Sequence, residues 1–553
     1  MEEIAFNLLR EPWIRVMKPD SSVVECSLMQ TLLDSHHYLR LAGELPTQDV
    51  AVLRLLLAVL HTVFYRVDTD GEEAPLEERE DALDRWKSLW DAGHLPEQPI
   101  KDYLMKYEDR FWLFHPENPF YQVPDVAQVL IETKREPFEV AKLNGELSES
   151  KHKKRLFPMR SGENKNSLSY AEAARWLLTK IGFDDSSIKT ETGTGTGWLG
   201  QHVNLYAAGQ NLFETLLLNL VLLNDGEEPW EENRPIWERP TKKAKKEKIP
   251  VPENQAELLT LQSRRTILLK NGDRVTGYYA TGGDFFGDNG ARDAFSEQMI
   301  QWRLGKAARN AAAPFIPVRA DASKMMWMDF AQVAISRKGS YHMPGIAKWI
   351  QTLKDERCIT NQYVYFHSVG VAYDSKASSI TDIISDHLDF HTALLTEAGE
   401  KWRELIEQEI ARTERAARAL RTLADELYLA EGGSPAAGAR KARADEAAQE
   451  YYASVDIPFR TWLRSIDPAQ GDDQELREDK NIQWQETAYR LAVNQGKQMI
   501  RNAGESAFVG RWITDQKNDQ QYHHSSAEAF GYFKASIWKC FQFKHQERGA
   551  ADA

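Results

Sequence analysis

A chain of 553 residues with a net charge of −14 and 42% apolar residues can bury a large core in about three domains, or in one large and one smaller. The acid excess excludes a protein that grips nucleic acid through a global basic face, so any such contact comes from local patches or is shared with partners. Three widely separated cysteines, Cys26, Cys358 and Cys540, indicate neither a disulfide framework nor a cysteine zinc site.

Ala5–Leu28 reads as two short strands joined by a turn around Pro19, Asp20 and Ser21. The MEEIAFNLLREPW start carries acids where a secretion signal carries bases. The longest apolar runs, such as Leu216–Leu223, fall short of the ~18 residues of a membrane span. A cytoplasmic protein with no membrane partner is therefore expected. Thr47–Val67 predicts a helix with Thr47 as N-cap, and Pro75–Ala92 a second. Phe111–Val123 is aromatic, broken by prolines, and reads as a structured loop.

Lys142–Ser169 lacks apolar periodicity and contains KHKKR (Lys151–Arg155), so it reads as a long exposed loop. The helix YAEAARWLLTKIG follows, then TETGTGTGWLG (Thr190–Gly200), then a helix over NLFETLLLNLVLL. The stretch 224–255 is irregular and contains the basic run Lys242–Lys248. Beyond it, the alternation around Asn271 and Gly272 predicts a β-hairpin. After residue 380 the pattern becomes helical. Helices are expected over about Thr381–Ala430, Ala442–Ile466, Ile482–Asn502 and Ser525–His545, without notable strands. This predicts an α+β protein: a mixed α/β domain over 1–380, then an antiparallel four-helix bundle over 381–553.

Gly195, Gly197 and Gly200 fit the G-x-G-x-x-G dinucleotide fingerprint. That fingerprint requires a buried strand before the first glycine and an acid at the end of the next strand. Here the polar DDSSIKTET precedes it, and Glu214, at the right distance, lies in an apolar helical run. A mobile surface loop is one reading. The other is a loop whose missing side chains let its backbone approach a ligand closely. The basic runs could meet phosphates or simply face solvent. His387 and His391, four apart on an expected helix, have metal-ligand spacing, but Leu388 stands where a zinc protease needs Glu. His523 and His524 have no acid at motif spacing, and Ser525 and Ser526 more simply cap the last helix. No nucleophile elbow or paired catalytic motif is found.

FNLLREPWIRV (Phe6–Val16), HPENPFYQV (His115–Val123), PIWERP (Pro235–Pro240) and LLTLQSRRTILL (Leu258–Leu269), in this order, resemble the CasA family. These are the large subunits of the type I-E CRISPR surveillance complex, Cascade. The resemblance covers most of the chain. It implies a non-catalytic subunit without cofactor that reads the protospacer-adjacent motif (PAM) in double-stranded target DNA. It also implies help in opening the duplex, contact with CRISPR RNA and other Cascade subunits, and docking of the helicase–nuclease. Sequence beyond the PAM is read by guide–target pairing.

Slim, polar, glycine-rich elements suit minor-groove reading, so Gly193, Gly195 and Gly197, with Thr194 and Thr196, are the expected PAM-contacting residues. Phe157 matches a family aromatic near the guide, with Lys153, Lys154 and Arg155 as phosphate contacts. The family's strand-splitting hairpin falls at Ala372–Ser379. Ser375 and Lys376 stand there where relatives carry Gln or Asn. The family's PAM-contacting lysine has no match, and its occasional cysteine cluster is missing. Two alternatives stay open: a nucleotide-dependent enzyme using the glycine stretch, and a purely structural scaffold.

Overall fold

The computed structural model describes residues 4–145, 163–188, 195–232, 234–287, 290–307, 312–337, 339–434, 437–470, 473–514 and 520–541. The chain is α+β and divides into two compact units: Met1–Ala322 with Ile335–His387, and Ser323–Ala334 with Leu388–Ala553.

In the first unit, β1 (Ile14–Met17) and β2 (Val23–Cys26) form a hairpin. The Asp20 carboxylate closes its turn by accepting from the Ser22 N–H at 2.9 Å and the Ser22 hydroxyl at 2.6 Å. On the other edge β1 pairs with β3 (Arg40–Leu41). Helix α1 (Pro46–Arg66) follows. Proline at its first position presets the backbone and lacks an N–H that would have no helical partner. The cap is Leu45, and Thr47 lies buried inside the first turn, so the expected Thr47 cap is corrected. By length and composition α1 could cross a membrane, but 94% of its apolar window is buried within the protein.

Helix α2 (Tyr170–Phe183) starts with a capping box. Ser169 Oγ accepts from Glu172 N at 3.2 Å and Glu172 Oε2 accepts from Ser169 N at 2.8 Å. Strand β4 (Asn204–Ala208) comes next, then the hairpin of β5 (Arg264–Asn271) and β6 (Arg274–Gly282). Its turn is at Asn271–Gly272, with Gly272 at φ +61°. The long strands β7 (Tyr363–Tyr373) and β8 (Ile380–His391) complete a sheet in the order β8–β7–β4. One core cluster joins this sheet to the glycine stretch through Phe183, Trp198, Leu199, Trp302, Val369 and Val371.

Strand β8 overturns the helix expected from Thr381. ITDIISDHLDFH places Ile and Leu at helical spacing, but β-branched residues and pairing with β7 win in context. His387 and His391 are therefore separated by about 13 Å of extended strand, too far to share a metal.

In the second unit, α3 (Glu400–Ala430) packs against α4 (Ala437–Arg464), α5 (Gln474–Asn502) and α6 (Ser526–Cys540). Polar tips of large side chains knit these helices: Trp484 Nε1 donates to Thr413 Oγ1 at 3.2 Å, and Tyr451 Oη to the Ala488 carbonyl at 3.1 Å. At Gly496 a Cβ would lie 2.3 Å from the Phe533 ring, so α5 and α6 meet closely there. A short hairpin, Arg511–Thr514 with Gln521–His524, occupies a stretch with no expected strand. Ser525 caps α6 as expected. His391 faces Asp467 at 3.1 Å, His523 faces Glu528 at 2.8 Å and His524 faces Glu426 at 2.6 Å. Among the described residues no group of three His, Cys, Asp or Glu could hold a metal. All three cysteines are buried and free.

Candidate nucleic-acid interface

The glycine stretch leaves the end of α2 and returns to the core as a four-residue 3₁₀ turn, Trp198–Gln201. A helix before it and a single short turn after it are the reverse of a dinucleotide-binding strand–loop–helix. Gly193 and Thr194 lie outside the described residues, as do Lys153, Lys154, Arg155 and Phe157.

The ends of this stretch are held by one guanidinium. Arg264, the first residue of β5, donates from Nε to Asp184 Oδ2 at 2.8 Å. Its Nη2 donates to the carbonyls of Asp185 at 2.8 Å and Gly195 at 2.6 Å, bridging the entry and exit of the loop. The Gly197 N–H donates to the Asp184 carbonyl at 2.8 Å and closes the base. Lys180 pairs with Asp184, and Lys142 with Asp185 at 2.7 Å. All five side chains are buried, and three cations face two carboxylates. Burial opposes the Asp184 charge, yet Lys180 and Arg264 hold its carboxyl below the ordinary range. Burial, with Lys180 adding to it, draws the Lys142 ammonium below its usual value despite Asp185. Lys142, expected at the start of an exposed loop, is thus a buried foundation residue.

The glycines are not equivalent. Gly195 is exposed, and a Cβ there would meet no atom within 4 Å. Thr196 is half-buried, and its carbonyl accepts from Gln201 Nε2 at 3.1 Å. Gly197 is buried, and a Cβ there would lie 2.3 Å from the Gly182 carbonyl oxygen. At Gly200 a Cβ would lie 1.8 Å from Tyr373 Oη, which itself donates to the Phe183 carbonyl at 2.7 Å.

Tyr373 ends β7, and the hairpin tip begins at the next residue. The Asp374 carboxylate accepts from the backbone N–H groups of Lys376 (3.1 Å) and Ser378 (2.7 Å) and from the Ser378 hydroxyl (2.7 Å). Ala377 takes the left-handed conformation, φ +54°. This turn projects Ser375 and Lys376, both exposed. It is also tied to the glycine stretch. Ser186 donates its N–H to the Ala377 carbonyl at 2.8 Å, and its hydroxyl lies 2.8 Å from that oxygen and 3.1 Å from the Lys376 carbonyl. The segment leading into the glycine stretch and the hairpin tip, 190 residues apart at Ser186 and Lys376, are therefore neighbours. Neither Ser186, which joins them, nor Arg264 and Asp184, which hold the base of the glycine stretch, was legible, because LQSRRTILL reads only as a strand start. Nothing in it says that Arg264 turns to the loop while Arg265 pairs with Asp284 at 2.6 Å.

Fold and site define an α+β protein that carries two adjoining loops on a buried ionic foundation, the build of a binding module. The chain belongs to the CRISPR-associated protein Cse1 family, whose model matches residues 7–495. It is 33% identical over 344 residues to the CRISPR-associated protein CasA/Cse1 of Thermus thermophilus. That alignment takes in 60% of this chain and 61% of the relative's length, so it spans less than two thirds of that relative. The crystal structure of Thermobifida fusca Cse1 superposes with a TM-score of 0.78 at 28% identity, covering 97% of this chain and 98% of that one. A chain of a solved CRISPR RNA-guided surveillance complex shares the fold with a TM-score of 0.72 at 16% identity, over 97% and 100% of the two chains.

Proposed function

We propose that this chain is the large, non-catalytic subunit of a CRISPR RNA-guided surveillance complex. The loop Gly193–Gly197 reads the PAM in double-stranded DNA, and the hairpin tip with Ser375 and Lys376 starts strand separation beside it. The observation that carries this reading is the Ser186 tether between the two loops. A groove-reading loop and a strand-splitting tip must act on adjacent base pairs, and a shared base provides that adjacency. Slim polar backbone at Gly195 and Thr196 suits a narrow groove, and the free Lys376 ammonium suits a phosphate. Lys153, Lys154, Arg155 and Phe157 contact the guide RNA. The helices α3, α4, α5 and α6 serve as a four-helix bundle that packs against other subunits, and the assembled surface receives the helicase–nuclease.

Affinity purification of the tagged full chain from cells carrying the remaining subunits tests this directly. Guide RNA and several smaller subunits are expected to co-purify in fixed stoichiometry. Recovery of the chain alone would contradict the proposal. Calorimetry with NAD, ATP and S-adenosylmethionine tests the enzyme alternative, and no stoichiometric binding is expected.

A further inference from the structure

Away from the two loops, the first unit holds a cleft of about 1090 Å³ between the β1–β3 sheet and the β4–β7 strands. Its volume is above the roughly 300–1,000 Å³ of an ordinary small-molecule pocket, which suits a segment of a polymer.

One wall is cationic. Met17 pairs with Arg40 across β1 and β3, so Arg15 and Arg40 are diagonal neighbours on one sheet face, about 7–8 Å apart. Neither side chain makes an ion pair or hydrogen bond among the described residues. Of the cleft's acids, Glu44 pairs with Arg175 at 2.9 Å, Asp49 accepts from the Gly43 N–H at 2.7 Å and feels the charges of Arg40 and Arg15, and Glu214 accepts from the Gln210 N–H at 2.8 Å.

The other wall is aromatic. Tyr365 and His367 stand two apart on β7 and so share a face, about 6.8 Å from one another. Tyr206 pairs with His367 and stacks on it at 5.3 Å between ring centroids. Tyr365 is 38% exposed. Arg15, Arg40, Tyr206, Tyr365 and His367 all line this one cleft.

Flat aromatic faces opposite unpaired guanidinium groups are the chemistry of single-strand binding, with bases on the rings and phosphates on the cations. The geometry points to a single-stranded nucleic-acid site in this cleft, with Arg15 and Arg40 on the backbone and Tyr365 and the Tyr206–His367 pair beneath the bases. The site is separate from the glycine loop and does not rest on that loop's reading. The strand is either guide RNA or displaced DNA, which offer the same chemistry.

Fluorescence anisotropy with the full chain and short labelled single-stranded RNA and DNA of one sequence tests it. Wild type binds, and the tighter of the two identifies the source. An Arg15→Gln/Arg40→Gln double variant binds about tenfold more weakly, with a salt slope shallower by roughly 1.4. Tyr365→Ala loses about fivefold or more, and Tyr365→Phe retains affinity. Thermal melts confirm that the variants fold. Gly195→Asp binds single strands as wild type does, which separates this site from the PAM reading. Absence of single-strand binding by wild type, full affinity in both the double arginine variant and Tyr365→Ala, or loss of binding in Gly195→Asp alone would each overturn the proposal.

Discussion

Ser186 and Ala377 are joined by the Ser186 N–H, which donates to the Ala377 carbonyl at 2.8 Å, with the Ser186 hydroxyl at the same distance from that oxygen. Ser186→Ala removes the hydroxyl contact and keeps the backbone one. The expected cost to stability is about 1 kcal/mol. In the assembled complex, PAM-dependent binding stays within about twofold, a difference of under 0.5 kcal/mol, while opening of the first base pairs slows. 2-Aminopurine fluorescence at those base pairs, read beside equilibrium affinity, separates the two effects.

Gly195 and Gly197 make opposite predictions for the same substitution. Gly197→Ala forces a methyl group against the Gly182 carbonyl, and overpacking of this kind costs about 1–3 kcal/mol. Gly195→Ala meets open space and leaves the melting temperature unchanged. Thermal unfolding of the isolated chain distinguishes them.

Arg264 is predicted to be intolerant even of lysine. A lysine ammonium cannot bridge Asp184, the Asp185 carbonyl and the Gly195 carbonyl with the geometry of a planar fork. Arg264→Met strips a cation from a buried carboxylate and costs about 3–5 kcal/mol. In Arg264→Lys, the Gly197 N–H, which donates to the Asp184 carbonyl, exchanges faster with deuterium while the α1 amides do not.

Glu409 gives a pH prediction. Burial, only partly offset by Arg412 at 3.0 Å, pushes its carboxyl up to about 7, and its Oε2 makes no hydrogen bond. The folded state therefore holds a proton that the unfolded chain releases near its ordinary carboxylate value. Stability from this group is full below about pH 4.5 and is lost as pH rises toward 7. Glu409→Gln is expected to raise the melting temperature at pH 8 and to lower or leave it unchanged at pH 5. Melts at the two pH values check the sign.

Elements with strong local signals were legible. Ser169 and Glu172 announce α2, Asn271–Gly272 announces the β5–β6 turn, and the long amphipathic runs announce the last four helices, although α3 starts at Glu400 rather than Thr381 and α5 at Gln474 rather than Ile482. Strand β8 was misread because Ile380, Ile383 and Ile384 fall at helical spacing, and only its pairing with β7 decides against a helix. The glycine stretch and the hairpin tip were visible as separate features. Their adjacency was not, because it depends on the hydrogen bonds of Ser186 to Ala377 and Lys376, segments far apart in the chain. The Arg15–Arg40 cleft was invisible as well, because only the pairing of β1 with β3 brings the two arginines onto one sheet face.

At stake is whether the glycine loop, exposed at Gly195, meets duplex DNA. The most direct test is the affinity of the assembled complex for PAM-containing and PAM-lacking duplexes, measured with wild type, Gly195→Ala and Gly195→Asp. Gly195→Asp places a carboxylate where nothing lies within 4 Å to absorb it, and so against the DNA phosphates. It is predicted to weaken PAM-dependent binding about tenfold or more, equivalent to roughly 1.4 kcal/mol. Gly195→Ala is predicted to have a smaller effect, and PAM-lacking duplex to be affected little by either. Equal PAM-dependent affinity for wild type and Gly195→Asp would contradict the account.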